Sequence, residues 1–135
     1  MTKFLGIAAS TAEAESFLAG GADAVAARPG AALAVSGKHQ VVPDSVFHAD
    51  LAPDFDSLAR LQAGALASLT VRDEANGRLL DFMPVPALQH FVAMCREHKL
   101  RCSLCGALEP PDIPRLLPLA PDYIGFSGPL SAEAI

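Results

Sequence analysis

Several things are scarce in this chain, and each scarcity excludes a class of function. Lysine occurs at three positions only, Lys3, Lys38 and Lys99. Lysine and arginine together number ten, are scattered along the chain, and are outweighed to a net charge of −5. Nucleic-acid binding needs a clustered basic face, so no nucleic-acid partner is expected. Cys95, Cys102 and Cys105 are too few for a disulfide framework. No apolar run approaches the roughly 20 residues of a membrane span, because charges and prolines interrupt every run. A signal-peptide pattern is also missing, since Lys3 is followed by a short apolar run and then by Thr11, Glu13 and Glu15. The expected location is the cytoplasm, with no membrane partner.

Apolar side chains, by contrast, are plentiful. They make up 51% of 135 residues, and the mean hydropathy is +0.32. Either the core is large or another subunit covers apolar surface. The length suits one domain, 1–135, and falls short of an eight-unit barrel, which usually needs about 200 residues or more. Phe4 to Ala9, Asp23 to Ala27, Ala65 to Val71, Leu100 to Leu104 and Tyr123 to Phe126 read as buried strands. Ala31 to Val35 and Val46 to Leu51 are further candidates. Helices are predicted between them. Ser10 or Thr11 caps the first, with Glu13 at capping-box spacing from Ser10. Asp54 or Asp56 starts a second, running to Gly64. Pro84 or Pro86 starts a third, with Leu88, Phe91, Val92 and Cys95 on one face. Pro110-Pro111-Asp112 opens the last. Strands alternating with helices predict an α/β fold with a parallel sheet, a partial (β/α)8 TIM-type barrel of five or six βα units.

In such barrels the chemistry sits at the C-terminal ends of the strands, and phosphate is often held by the loops after the last two. Here those loops carry Gly106 and Ala107, then Gly125, Ser127 and Gly128. Glycine lets the backbone approach a phosphate, and exposed N–H groups donate to it; simple turns would use the same glycines. Cys102 and Cys105 have zinc-pair spacing but no second pair, and residues i and i+3 of a strand face opposite ways, so no metal is expected. Schiff-base chemistry needs a desolvated lysine. Lys3 precedes a strand and Lys99 ends a helix, which leaves Lys38 as the catalytic candidate. Arg28, after the second strand, can hold an anion or lie on the surface.

Particular residues carry a family resemblance. They are Ala19-Gly20-Gly21-Ala22-Asp23-Ala24-Val25, Ala59-Arg60 through Leu69, Leu79 to Phe82, Phe91-Val92, Leu100 to Leu104, Ile113-Pro114 and Asp122 to Gly128. In these stretches the chain resembles the (5-formylfuran-3-yl)methyl phosphate synthase family. The resemblance implies a (β/α)8 barrel that condenses two molecules of glyceraldehyde 3-phosphate into a furan phosphate, a precursor of methanofuran, the one-carbon carrier of methanogens and some methylotrophs. It implies lysine and aspartate catalysis and no cofactor. The chain departs from the pattern at those residues. Ala26-Ala27-Arg28 stands where the family has Asp-x-Lys. Thr70 and Glu74 stand where it has an Asp and, four residues on, a Lys. Ser127 replaces an arginine, the middle strands are mostly deleted between Gly30 and Pro53, and the chain stops at Ile135, where the family's final helix would begin. Arginine stays protonated and cannot replace a Schiff-base lysine. Arg28, Thr70 and Glu74 are therefore expected to bind ligand. Two functions follow from the resemblance. One is a divergent relative of the synthase, a lyase on triose phosphate if active. The other is a non-catalytic subunit that binds a small phosphorylated metabolite or a partner. A partial barrel exposes two sheet edges and an apolar interior, so a homodimer is expected.

Overall fold

The computed structural model describes residues 2–28, 31–35 and 37–126. Six parallel strands form one curled sheet: β1 (Lys3–Ala8), β2 (Ala24–Ala27), β3 (Ser45–His48), β4 (Leu66–Thr70), β5 (Arg101–Leu104) and β6 (Tyr123–Phe126). The helices are α1 (Thr11–Ala19), α2 (Leu79–Phe82), α3 (Val85–Glu97) and α4 (Ile113–Leu116), with short 3-10 turns between. The sheet order is β2-β1-β6-β5-β4-β3. Apart from β2 and β3, which form the two ends of the sheet, strands adjacent in sequence are adjacent in the sheet, and β1 pairs with β6, as in a partial barrel.

A partial barrel is expected to expose two sheet edges, and the ends of the sheet are β2 and β3. The segment before β3 gives the β2 edge a partner. Gln40 forms a parallel bridge with Val25, and Val41 N–H donates to Val25 O at 2.8 Å. Four residues after Gln40, Asp44 N–H donates to Leu66 O of β4 at 2.9 Å. One extended segment therefore touches β2 at its start and β4 at its end. The physical reason is the backbone's need for partners: the curl lets the segment that leads into β3 also pair with the open edge of β2.

Three aspartates tie down the N-terminal ends of the strands by one device. Asp23, Asp44 and Asp122 each immediately precede a strand. Their Oδ2 atoms accept the N–H of Phe4 at 2.8 Å, of Leu66 at 2.7 Å and of Cys102 at 2.8 Å. Each bond reaches the neighbouring strand and fixes its register.

The strands alternate faces with period two. Ala67, Leu69, Cys102, Leu104, Ile124 and Phe126 face outward into the main core, against Phe17 of α1, Leu88, Phe91, Val92 and Cys95 of α3, and Leu116 of α4. All four α3 positions read from the sequence are buried. A β-carbon on Gly6 would overlap the ring of Phe17, so this glycine seats α1 on β1. Facing inward are Leu5, Ala24, Ala26 and Cys105.

Three predicted elements differ. The strand candidate Val46 to Leu51 is the shorter β3, Ser45–His48, because Ala49–Leu51 turns as a 3-10 helix. Residues 31–35 form no strand: Ala34 N–H donates to Thr11 Oγ1 at 3.0 Å rather than to a sheet. The segment after Asp54 is a 3-10 helix, Phe55–Arg60. Its buried contacts come from Phe55, on Phe47 and Phe91, and from Leu58. Residues at i and i+3 eclipse on a helix of three residues per turn, which matches that pair. Ser10 caps α1 as read, with Glu13 N–H donating to Ser10 Oγ at 3.2 Å.

Candidate functional site at the strand ends

The inward side chains do not fill the curl. They leave a cavity of about 540 Å³ near the C-terminal ends of the strands. Leu5, Ile7, Ala26 and Val46 supply its apolar wall. Val46 is 47% exposed although it faces inward, so the cavity is open rather than sealed.

The polar groups come from neighbouring strands in register. Ser68 pairs with Ser103 across β4 and β5, and their hydroxyls share a hydrogen bond of 3.0 Å. Ser103 Oγ also lies 3.4 Å from Cys105 Sγ. Burial pushes the Cys105 thiol up from its ordinary value, against the opposing hydrogen bonds from Ser103 and Ser68. Cys105 is therefore a protonated packing group, not a poised thiolate. Gly125 lies against it, and a β-carbon there would sit 2.5 Å from Cys105 Sγ. His48 and Thr70 are register partners at the ends of β3 and β4, and both line the cavity. The Nδ1 atom of His48 is buried without a hydrogen-bond partner among the described residues.

Arg28, Arg72 and Asp73 complete the mouth. Arg28 is placed by its N–H, which donates to Ala8 O at 2.9 Å. Arg72 and Asp73 are placed by Asp50, whose carboxylate accepts their main-chain N–H groups at 3.0 and 3.2 Å. The Arg72 N–H bond is the main cause that holds Asp50 below the usual carboxylate value.

The turn after β5 is braced separately. Gly106 has φ +117° and Ala107 φ +54°; glycine suits that left-handed turn. The carbonyls of both residues are engaged, by Leu79 N–H at 3.0 Å and by Arg78 Nε at 3.1 Å. Arg78 also pairs with the buried Asp112, which accepts Glu109 N–H at 2.8 Å.

The structure thus brings Arg28 and Thr70 into one cavity and sets the Gly106-Ala107 turn and Gly125 nearby. The backbone of Glu74 lies in the 3-10 turn Glu74–Asn76, next to Asp73 and Ala75 of the cavity rim. Ser127 and Gly128 lie outside the described residues. Lys38 is not brought to this site. It lies exposed at the N-terminal end of the sheet, beside Lys3 and Tyr123. Cys102 faces the outer core and Cys105 the inner one, so the pair does not converge. No group of residues suited to a metal occurs among those described, and no described helix is long and apolar enough to cross a membrane. Sequence reasoning missed His48, Ser68 and Ser103. Their signal was the alternation that puts Ser68 and Thr70 on one face of β4, and Val46 and His48 on one face of β3.

A model of the 4-HFC-P synthase family matches residues 34–134. The chain belongs to the 4-HFC-P synthase family. A curated relative from Methylorubrum extorquens, named as a (5-formylfuran-3-yl)methyl phosphate synthase, is 43% identical over 77 residues. That stretch is 56% of this chain and 33% of the relative, so the chain spans about a third of the relative's length. The 4-HFC-P synthase match begins after β2. Ser68, Thr70, His48 and the Gly106-Ala107 turn lie inside it, and Arg28 lies before it.

Proposed function

We propose that this member of the 4-HFC-P synthase family binds a small phosphorylated carbonyl compound at the strand ends without forming a Schiff base to it. Its role is a non-catalytic or partner subunit in methanofuran-type cofactor biosynthesis. The observation that carries this reading is the position of the lysines. Lys3 and Lys38 lie at the opposite end of the sheet, and Lys99 follows α3 on the surface. None lines the cavity, and the undescribed residues contain no lysine. Without a lysine amine in the cavity no Schiff base to an aldehyde carbon can form.

Features for binding are present. Arg28 offers a permanent cation at the mouth. Gly106 and Ala107 after β5, Gly125 in β6, and Ser127 and Gly128 are the proposed phosphate seat, and Thr70 and Glu74 are the proposed contacts for the remainder of the ligand. An unpaired buried ring nitrogen costs about 1–3 kcal/mol, and a ligand hydroxyl reaching His48 Nδ1 offsets that cost. A homodimer belongs to the same proposal, because Val42 and Leu51 leave 72% and 55% of their surface exposed. A monomeric mass in light scattering at micromolar concentration would contradict it.

The second reading is a lyase on triose phosphate, with Lys38 or a partner's lysine as nucleophile. Borohydride trapping with glyceraldehyde 3-phosphate, read by intact mass, separates the two. The expected result is no adduct, together with calorimetric binding that Arg28→Gln weakens about tenfold. A stable adduct on Lys38 would sink the non-catalytic reading.

A further inference from the structure

The other end of the sheet holds a second recess, of about 220 Å³. It shares no lining residue with the strand-end cavity. Lys3, Arg101 and Tyr123 are the first residues of β1, β5 and β6. Lys38 and Gln40 come from the segment that joins the sheet edges, and Asp23 precedes β2. Three cations therefore meet one carboxylate. That carboxylate already accepts the Phe4 N–H through Oδ2. None of the three cations is ion-paired among the described residues. The Nε of Arg101 donates to Gly64 O at 3.0 Å, which holds the guanidinium at the rim.

Unpaired charges of one sign repel each other, and loose surface lysines usually separate. Here the strand register and the edge-joining segment keep them around one concavity. A concave wall focuses their field and raises the local concentration of counter-ions. The excess of two positive charges over Asp23 matches a phosphate group, which carries about −1.5 to −2 near neutral pH. Gln40 and Tyr123 add neutral donors to the same wall.

We infer that this recess is a binding site for a phosphate dianion, either free phosphate or the phosphate of a small monoester. It is independent of the strand-end cavity, and it gives Lys38 a role as an anion ligand rather than a nucleophile.

The test is a titration of the 15N-labelled chain with inorganic phosphate, and separately with methyl phosphate, followed by NMR at ionic strength fixed with chloride. Amide shifts are expected at Asp23 to Val25, Gln40 and Tyr123. The double substitution Lys3→Gln with Lys38→Gln should weaken this binding about tenfold. Lys99→Gln, which removes equal charge elsewhere, should leave it unchanged. Each single lysine variant should lose part of the affinity, so the result does not depend on the double variant folding. The tighter of the two ions names the source. Shifts confined to the strand-end cavity, or affinity that survives the double substitution, would overturn the site.

Discussion

The outer and inner faces of the sheet are made by the same strands and obey opposite rules. Most outward residues are large and apolar and meet helices: Leu69, Leu104 and Ile124 have no exposed surface. Many inward residues are small or polar, as with Ala24, Ala26, Ser68, Ser103 and Gly125, and beside the apolar Leu5, Ile7 and Val46 they leave a cavity. Stability is concentrated on one face, and space for chemistry on the other. The lesson is that alternation along one strand can encode both.

The comparison predicts unequal costs. The largest effect belongs outside. Phe91→Ala should cost about 3–5 kcal/mol in chemical denaturation, since Phe91 joins Phe47 and Phe55 in one aromatic group. A loss below about 1 kcal/mol would mean that the helix layer is not the stabilising face. The inner face should instead be sensitive to added volume. Gly125→Ala should cost about 1–3 kcal/mol by overpacking, because the new carbon meets Cys105 Sγ and Ile7. Adding Cys105→Ala should recover part of that loss, and strict additivity of the two would break the account. The smallest effect lies at the mouth. The carboxyl of Asp50 is depressed from 3.8. A depressed folded value gives stability that is present above the unfolded value and lost as pH falls through the folded one. Amide exchange at Arg72 and Asp73 should therefore lose protection below pH 3.8, and Asp50→Asn should remove that pH dependence.

What the sequence made legible follows the same division. The outer face announced itself, because Leu88, Phe91, Val92 and Cys95 recur at helical spacing and the strands are apolar runs. Local caps such as Ser10 were legible for the same reason: donor and acceptor lie within three residues. The edge-joining segment was not, since Gln40 and Asp44 find partners on strands that no local pattern links. The strand-start aspartates did leave a trace in Ala22-Asp23, Pro43-Asp44 and Pro121-Asp122, a repeat visible only once its bonds are known. At the site, Arg28 could be placed because it follows a strand, and Thr70 through the family resemblance. Lys38 could not, because the segment around it has no periodicity to say which end of the sheet it joins. Arg78 and Asp112 lie 34 residues apart, and nothing in either neighbourhood predicts their pairing.

The pairing of β1 with β6 also has a consequence for the order of folding. Thr2 Oγ1 donates to Pro121 O, 119 residues away, and Lys3 sits in register with Tyr123. Such long-range contacts make folding slow, because chain entropy is lost before the contact rewards it. During synthesis at roughly 5–20 residues per second, β1 must wait several seconds for its neighbour to leave the ribosome. Until then only β2 can cover it, and its other edge stays available to a second nascent chain. Chaperone dependence, or strand exchange between copies at high expression, is the cellular form this geometry would take.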